Sequence, residues 1–182
     1  MKLKWNIEYD FYHNYMNSYI RFAIPLEDGR VVYMCERFER GSAEIDAHIV
    51  LLDTQKFINI WRHMPDTDQY QGIQKGNKSI WLSPKTNRYI AMTNSHFADG
   101  KNNPVPLAWL NCSNLADGFY WTNGMTRTMW LLSYNAKFIP ILTIGKQSAK
   151  TLSVFVGVKY THNHHTLADI MTIARQKVPF YF

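Results

Sequence analysis

The chain has 182 residues, 46% of them hydrophobic and 15% aromatic, with a formal net charge of +6 and a pI near 9.3. That is enough apolar material for one core, or one core with elaborated ends, and it excludes disorder as the main state. The basic balance favours an anionic partner such as a nucleotide or nucleic acid, although solubility alone accounts for a charge of this size equally well.

Cys35 and Cys112 show no CxxC spacing, and Lys2, Lys4, Asp10 and Arg21 interrupt the apolar residues of the first strand-like region. A reduced, cytoplasmic chain without a secretory leader or membrane segment is therefore expected. Residues 1–45 read as β-rich. Runs at 18–23 and 30–35 flank Pro25-Leu26-Glu27-Asp28-Gly29, and Asp-Gly between strands signals a hairpin. Trp5, Tyr9, Phe11, Tyr12, Tyr15 and Tyr19 can pack or present a stacking surface to nucleic acid, and packing is the expectation.

Residues 48–52 form an apolar strand run, after which Asp53 or Thr54 caps a helix whose buried side carries Phe57, Ile58, Ile60 and Trp61. Pro65 and the polar run 66–69 end it. Residues 71–78, QGIQKGNK, lack the Gly-Lys-Ser/Thr of a Walker A loop, so a surface connection is expected, with Lys75 and Lys78 as possible phosphate contacts. Ser83 as cap and Pro84 at the first helical position predict the next helix, which Gly100 closes. Its periodic residues are Tyr89, Met92 and His96, or Ile90 and Phe97. Lys101-Asn102-Asn103-Pro104 then leads into a strand over 107–112.

An aromatic strand is predicted over 118–121, then an Asn123-Gly124 turn and a helix capped by Thr126 that carries Met129, Trp130 and Leu132. It stops at 133–135, and a strand resumes at 138–142. The turn thus joins a strand's end to a helix N-terminus, where backbone amides collect and an anion would dock. Arg127 lies in that first helical turn, a position that a side chain serving only the helix dipole would more often give to an acid. Further on, a helix starting near Ser148 points Ala149, Leu152, Phe155 and Val156 inward. The histidine-rich run 160–165, YTHNHH, reads as a solvated turn before a helix over 167–175, since zinc would need further ligands.

The order of aromatic strand, Asn123-Gly124, Arg127-Thr128, apolar helix, Asn135-Ala136-Lys137 and Ile139-Pro140 resembles the ParB/sulfiredoxin superfamily. Residues 46–62 are similar to its leading strand and helix, and residues 100–107 to its NPVP loop. Together the three blocks resemble most closely the Osa-like plasmid fertility inhibition factors. That resemblance implies an α+β fold: a ParB/sulfiredoxin-like small mixed sheet with surrounding helices over 46–158, a β-rich N-terminal extension over 1–45 and a C-terminal helical extension over 159–182. It implies Arg127 and Thr126 as catalytic residues, and Asn123, Gly124, Thr128, Lys101 and Asn103 as nucleotide- or phosphate-binding residues. The implied cofactor is ATP or another nucleotide with Mg²⁺, and the implied partners are DNA and conjugation machinery proteins. The implied function is a block on conjugative DNA transfer through nucleotide hydrolysis and DNA cleavage.

Thr126 stands where the superfamily usually has His, which opens the alternative of a non-catalytic inhibitor that binds nucleic acid or protein on the same fold. Met125 stands where sulfiredoxins have their catalytic Cys, so that activity is not expected. Too little sequence follows the motif helix for the helix-turn-helix domain of the partition proteins. The metal ligands are not identifiable: Asp99 and Asp117 are Mg²⁺ candidates, but acids beside glycines read first as turn residues. Arg127 could also pair with Asp117 and simply pin the turn.

Overall fold

The computed structural model describes residues 5–14, 17–38, 45–64, 72–158 and 165–177. Two mixed sheets with helices around them enclose one continuous hydrophobic core. In the first sheet, β1 (Tyr9–Asn14), β2 (Asn17–Pro25) and β3 (Val31–Phe38) run antiparallel. The predicted hairpin joins β2 to β3, and Gly29 takes the positive φ, 86°, that its turn requires. β2 alternates as a half-buried strand should, with Ile20, Phe22 and Ile24 fully inside. Trp5 is buried against Phe22, its ring centroid 5.5 Å away, so this aromatic serves packing; Tyr15 lies outside the described residues.

β4 (Ala47–Asp53) begins the second sheet, and its apolar run is buried almost throughout, as in a strand covered on both faces. Asp53 accepts hydrogen bonds from the amides of Gln55 (3.1 Å) and Lys56 (3.0 Å) and so caps α1 (Thr54–His63). Phe57 and Trp61 face the core, while Ile58 and Ile60 are only partly buried. The residues that were expected to end this helix, 65–71, lie outside the described residues. The connection that follows is more than a surface loop: Gln74 is buried and donates to the carbonyl of Met64 at 2.8 Å, satisfying a group left open by α1. A short helix absent from the sequence reading, α2 (Lys78–Trp81), follows with Asn77 as its cap.

The next helix, α3 (Ile90–Ala98), starts well after Pro84. Ser83 forms a turn, its carbonyl accepting from the amides of Thr86 and Asn87, and its cap is spent there. Gly100, φ 70°, follows α3 and opens a 3-10 turn, Gly100–Asn102. The predicted strand over 107–112 is split. β5 (Val105–Pro106) pairs parallel with β3 in the first sheet, and β6 (Ala108–Asn111) belongs to the second, with buried Leu107 as the crossing point.

β7 (Tyr120–Asn123) pairs with β6, ends two residues later than expected and leads directly into α4 (Met125–Ser133). β8 (Phe138–Ile144) lies between β6 and β4. Pro140 is tolerated in this central strand because pairing with β6 begins only at Ile141. α5 (Lys146–Val156) packs on β4. Its buried face is Ser148, Ala149, Leu152 and Val156, whereas Phe155, expected inside, is 46% exposed. The Ser148 hydroxyl is drawn inward by the Thr143 hydroxyl, 2.6 Å away, and by the Cys112 amide, which turns that face to the sheet.

β9 (His165–Thr166) adds an edge to β4, giving the order β7-β6-β8-β4-β9, and α6 (Leu167–Lys177) follows. His165 is buried against Trp5, which replaces the solvated-turn reading at that residue; residues 160–164 lie outside the described residues.

Candidate phosphate-binding cleft

Along β7 only Trp121 points into the core, where its ring meets Phe57 and Trp61 with centroids 6.1 and 6.2 Å away. With the strand fixed by that residue, Asn123 ends it at the surface and Gly124 begins α4. Gly124 has φ 81°, and a Cβ there would lie 2.7 Å from the Cα and Cβ of Ala108 and 2.9 Å from Arg127 Nε. Only glycine allows both the left-handed backbone and this approach to β6. Gly124 is thus the N-cap; Thr126, predicted for that role, is inside the helix, and no side chain caps α4. The amides of Met125, Thr126 and Arg127 have no preceding helical carbonyl to bond.

This N-terminus opens on a cleft of about 460 Å³. Its walls are Tyr89, which precedes α3, Met92, Thr93 and His96 of α3, Val105 and Pro106 of β5, and residues 121–127. The indole N–H of Trp121, on the wall and buried, lacks a hydrogen-bond partner. A second depression of about 330 Å³, with Lys85, Asn87 and Arg88, adjoins it across Tyr89, Met125 and Thr126.

Four of the predicted residues, Asn123, Gly124, Thr126 and Arg127, line the cleft together. Arg127 Nη1 donates to the carbonyls of Pro106 (2.6 Å) and Leu107 (3.2 Å), which anchors the guanidinium beside the turn. Burial lowers its pKa while Glu36 and Cys35 push it back up, and a guanidinium so placed stays charged. Thr126 donates its hydroxyl to Asn87 Oδ1 at 2.8 Å. Asp117 is no partner of Arg127: its backbone amide and carboxylate both bond Asn114, so it is a turn residue, and Asp99 likewise accepts from Asn103.

The other candidates are placed elsewhere. Thr128 is fully buried and returns its hydroxyl to the Gly124 carbonyl at 3.2 Å. Lys101 Nζ lies 3.5 Å from Asp10, and Asn103 donates to Asp99. Arg21 donates to the Lys101 carbonyl at 2.8 Å, which ties this loop to the N-terminal sheet; neither Lys101 nor Asn103 lines the cleft. Lys75 is exposed and Lys78 sits 4.5 Å from the Tyr134 ring centroid; neither lines the cleft. Conversely, Tyr89, Met92 and His96 were read only as a helical periodicity. Burial of Ile90, Thr93 and Phe97 settles which face of α3 is inside and leaves the other three on the cleft.

Uncapped amides and an adjacent guanidinium suit phosphate oxygens. They do not suit a protein-held Mg²⁺, because among the described residues no carboxylate lines the cleft and no three His, Cys, Asp or Glu side chains cluster. Glu36, on β3, carries a carboxyl whose pKa burial pushes up to about 7, with Arg127 pulling the other way.

A family model described as Plasmid Fertility inhibition factor matches residues 49–157, from within β4 to just past α5, and so contains most of the cleft walls. The chain belongs to the plasmid fertility inhibition factor family. Among relatives of this fertility inhibition factor, Protein osa of Shigella flexneri is 39% identical over 77 residues, which span 41% of this chain and 40% of that protein. A crystal structure of Oncogenic Suppression Activity Protein, described as a plasmid fertility inhibition factor and studied as a gold(I) cyanide derivative, superposes with a TM-score of 0.69. That likeness covers 94% of this chain and 85% of the other at 24% identity, and it establishes a shared α+β fold. Among the described residues of the factor, no helix is long and apolar enough to cross a membrane.

Proposed function

We propose that this factor acts in the donor cytoplasm to block conjugative DNA transfer, and that it does so by engaging phosphates of a nucleotide or of DNA at the N-terminus of α4. The observation that carries this is the convergence of the uncapped α4 amides, Gly124 and the anchored Arg127 on one wall of a cleft of about 460 Å³. On this reading the five-stranded sheet and its helices form a ParB/sulfiredoxin-like core. The amides of residues 125–127 orient phosphate oxygens, and Arg127 neutralises charge on the group they hold. Likeness to the Osa-type factors adds nucleotide hydrolysis and DNA cleavage at that point, with conjugation machinery proteins as the neighbours in the cell.

Two observations favour a second reading, inhibition by binding without turnover. Among the described residues no carboxylate lines the cleft, and Thr126, in place of the superfamily's His, has its hydroxyl engaged by Asn87.

The test is transfer of a co-resident conjugative plasmid from donors that express wild type or Arg127→Ala. Wild type is expected to lower transfer frequency and the variant to restore it, with circular dichroism confirming a folded variant. Undiminished inhibition by folded Arg127→Ala would remove the cleft from the mechanism. ATP hydrolysis and DNA cleavage by the purified factor with Mg²⁺ separate the two readings: binding without turnover selects the second.

A further inference from the structure

We propose that Glu36, in the N-terminal sheet and outside the matched family region, tunes the charge that Arg127 presents to the cleft, so that its uptake of a proton strengthens anion binding there. This rests on the phosphate-binding reading of α4. The placement follows from the register. Cys35 of β3 stands opposite Pro106 of β5, and the Leu107 amide donates to the Cys35 carbonyl at 2.9 Å. Residue 36 therefore comes next on β3 where the paired chain turns away into β6, and Arg127 reaches its two carbonyl anchors, Pro106 and Leu107, at that same crossing.

Each of these groups feels the other's charge. Arg127 lowers the pKa of Glu36, yet burial outweighs it and holds the carboxyl near 7. Arg37 on the same strand also lowers that pKa, and Glu36 in turn acts on the Cys35 thiol, which burial pushes up to about 11 and which stays neutral here. Tyr12 of β1 and Arg21 of β2 act on that thiol.

Two charge states of the anchor follow. With Glu36 ionised, a nearby negative charge offsets the guanidinium and repels an arriving anion. With Glu36 protonated, Arg127 keeps its carbonyl anchors and presents its full charge to the cleft. Binding should therefore weaken as pH rises through about 7. By linkage, a bound anion should raise the pKa of Glu36.

Inorganic sulfate is the probe, because its charge stays constant from about pH 5.5 to 8.5 whereas that of phosphate does not. Amide shifts of residues 124–128 in the full chain report binding. Wild type should bind about fivefold more tightly at the acid end, the size of one screened like-charge interaction. Glu36→Gln should bind tightly at both ends with no slope. His96→Gln, a change on the cleft wall that leaves Glu36 in place, should retain the wild-type profile.

A slope that survives in Glu36→Gln overturns the proposal. Should that variant not fold, the carboxyl ¹³C titration of Glu36 in wild type decides: an upward pKa shift on adding sulfate supports the proposal, and no shift overturns it. Sulfate that binds with a flat profile overturns this proposal alone, whereas no binding at any pH also removes the phosphate-binding reading.

Discussion

Replacing Gly124 by Ala tests the geometry on which the cleft depends, and the fold supplies its own control. Gly124 and Gly118 have nearly the same φ, 81° and 80°. A Cβ at Gly118 meets nothing within 4 Å, whereas one at Gly124 lies 2.7 Å from Ala108 Cα. Both substitutions incur the left-handed penalty of an L side chain, about 1–2 kcal/mol. Gly124→Ala adds an overpacking cost of about 1–3 kcal/mol, because Ala108 Cα is backbone and cannot yield without moving β6, where Ala108 itself pairs with Ile141 of β8. The expected losses are therefore about 1–2 kcal/mol for Gly118→Ala and about 2–5 kcal/mol for Gly124→Ala. Urea denaturation followed by tryptophan fluorescence measures both. Equal losses would show that α4 does not start against β6, and the shape of the cleft would have to be revised.

Arg127→Ala should cost about 1.5–3 kcal/mol in the same assay, since it removes a charged donor from two main-chain carbonyls, and it should abolish sulfate binding; an unchanged midpoint would contradict the anchoring. Arg127→Lys should recover only part of either property, because an ammonium lacks the planar fork. Asp53→Ala should cost about 0.5–2 kcal/mol through loss of the α1 cap, and a neutral result would mean that the cap is replaced by water. For Glu36, whose folded pKa of about 7 lies above its ordinary 4.5, the contribution to stability should be full below about 4.5 and be lost as pH rises through about 7. Glu36→Gln should lose most of that fall, up to about 3 kcal/mol, and parallel pH profiles for the two proteins would refute the burial of this carboxyl.

Much of the fold was legible because its signals are local. Asp28-Gly29 specified the hairpin, Asp53 the start of α1, and the unbroken apolar runs of β4 and β8 their central places in the sheet. In the candidate site, Asn123, Gly124, Thr126 and Arg127 could be grouped from sequence because they occupy adjacent positions of one strand end, turn and first helical turn. The same local reasoning misassigned Ser83-Pro84, because it could not register that Ser83's carbonyl and hydroxyl are spent on a turn before α3 begins.

What the tertiary structure decided lies in contacts between distant segments. The turn signal of Asn123-Gly124 requires a flexible backbone, but only the approach of Ala108 requires that no side chain be present. A helical periodicity has two faces, and it took the packing of Phe97 on Trp130, centroids 4.2 Å apart, to place Tyr89 and His96 on the cleft. Lys101 and Asn103 are held outside the cleft lining by Asp10, Arg21 and Asp99, and the pairing of β5 with β3 sets Cys35, next to Glu36, opposite the Pro106 that anchors Arg127. The sequence by itself determined the turn, the helix and the arginine, since these depend on backbone preferences a few residues apart. Which groups surround that arginine was decided by strand register between β3 and β5, a long-range choice that local propensity does not encode.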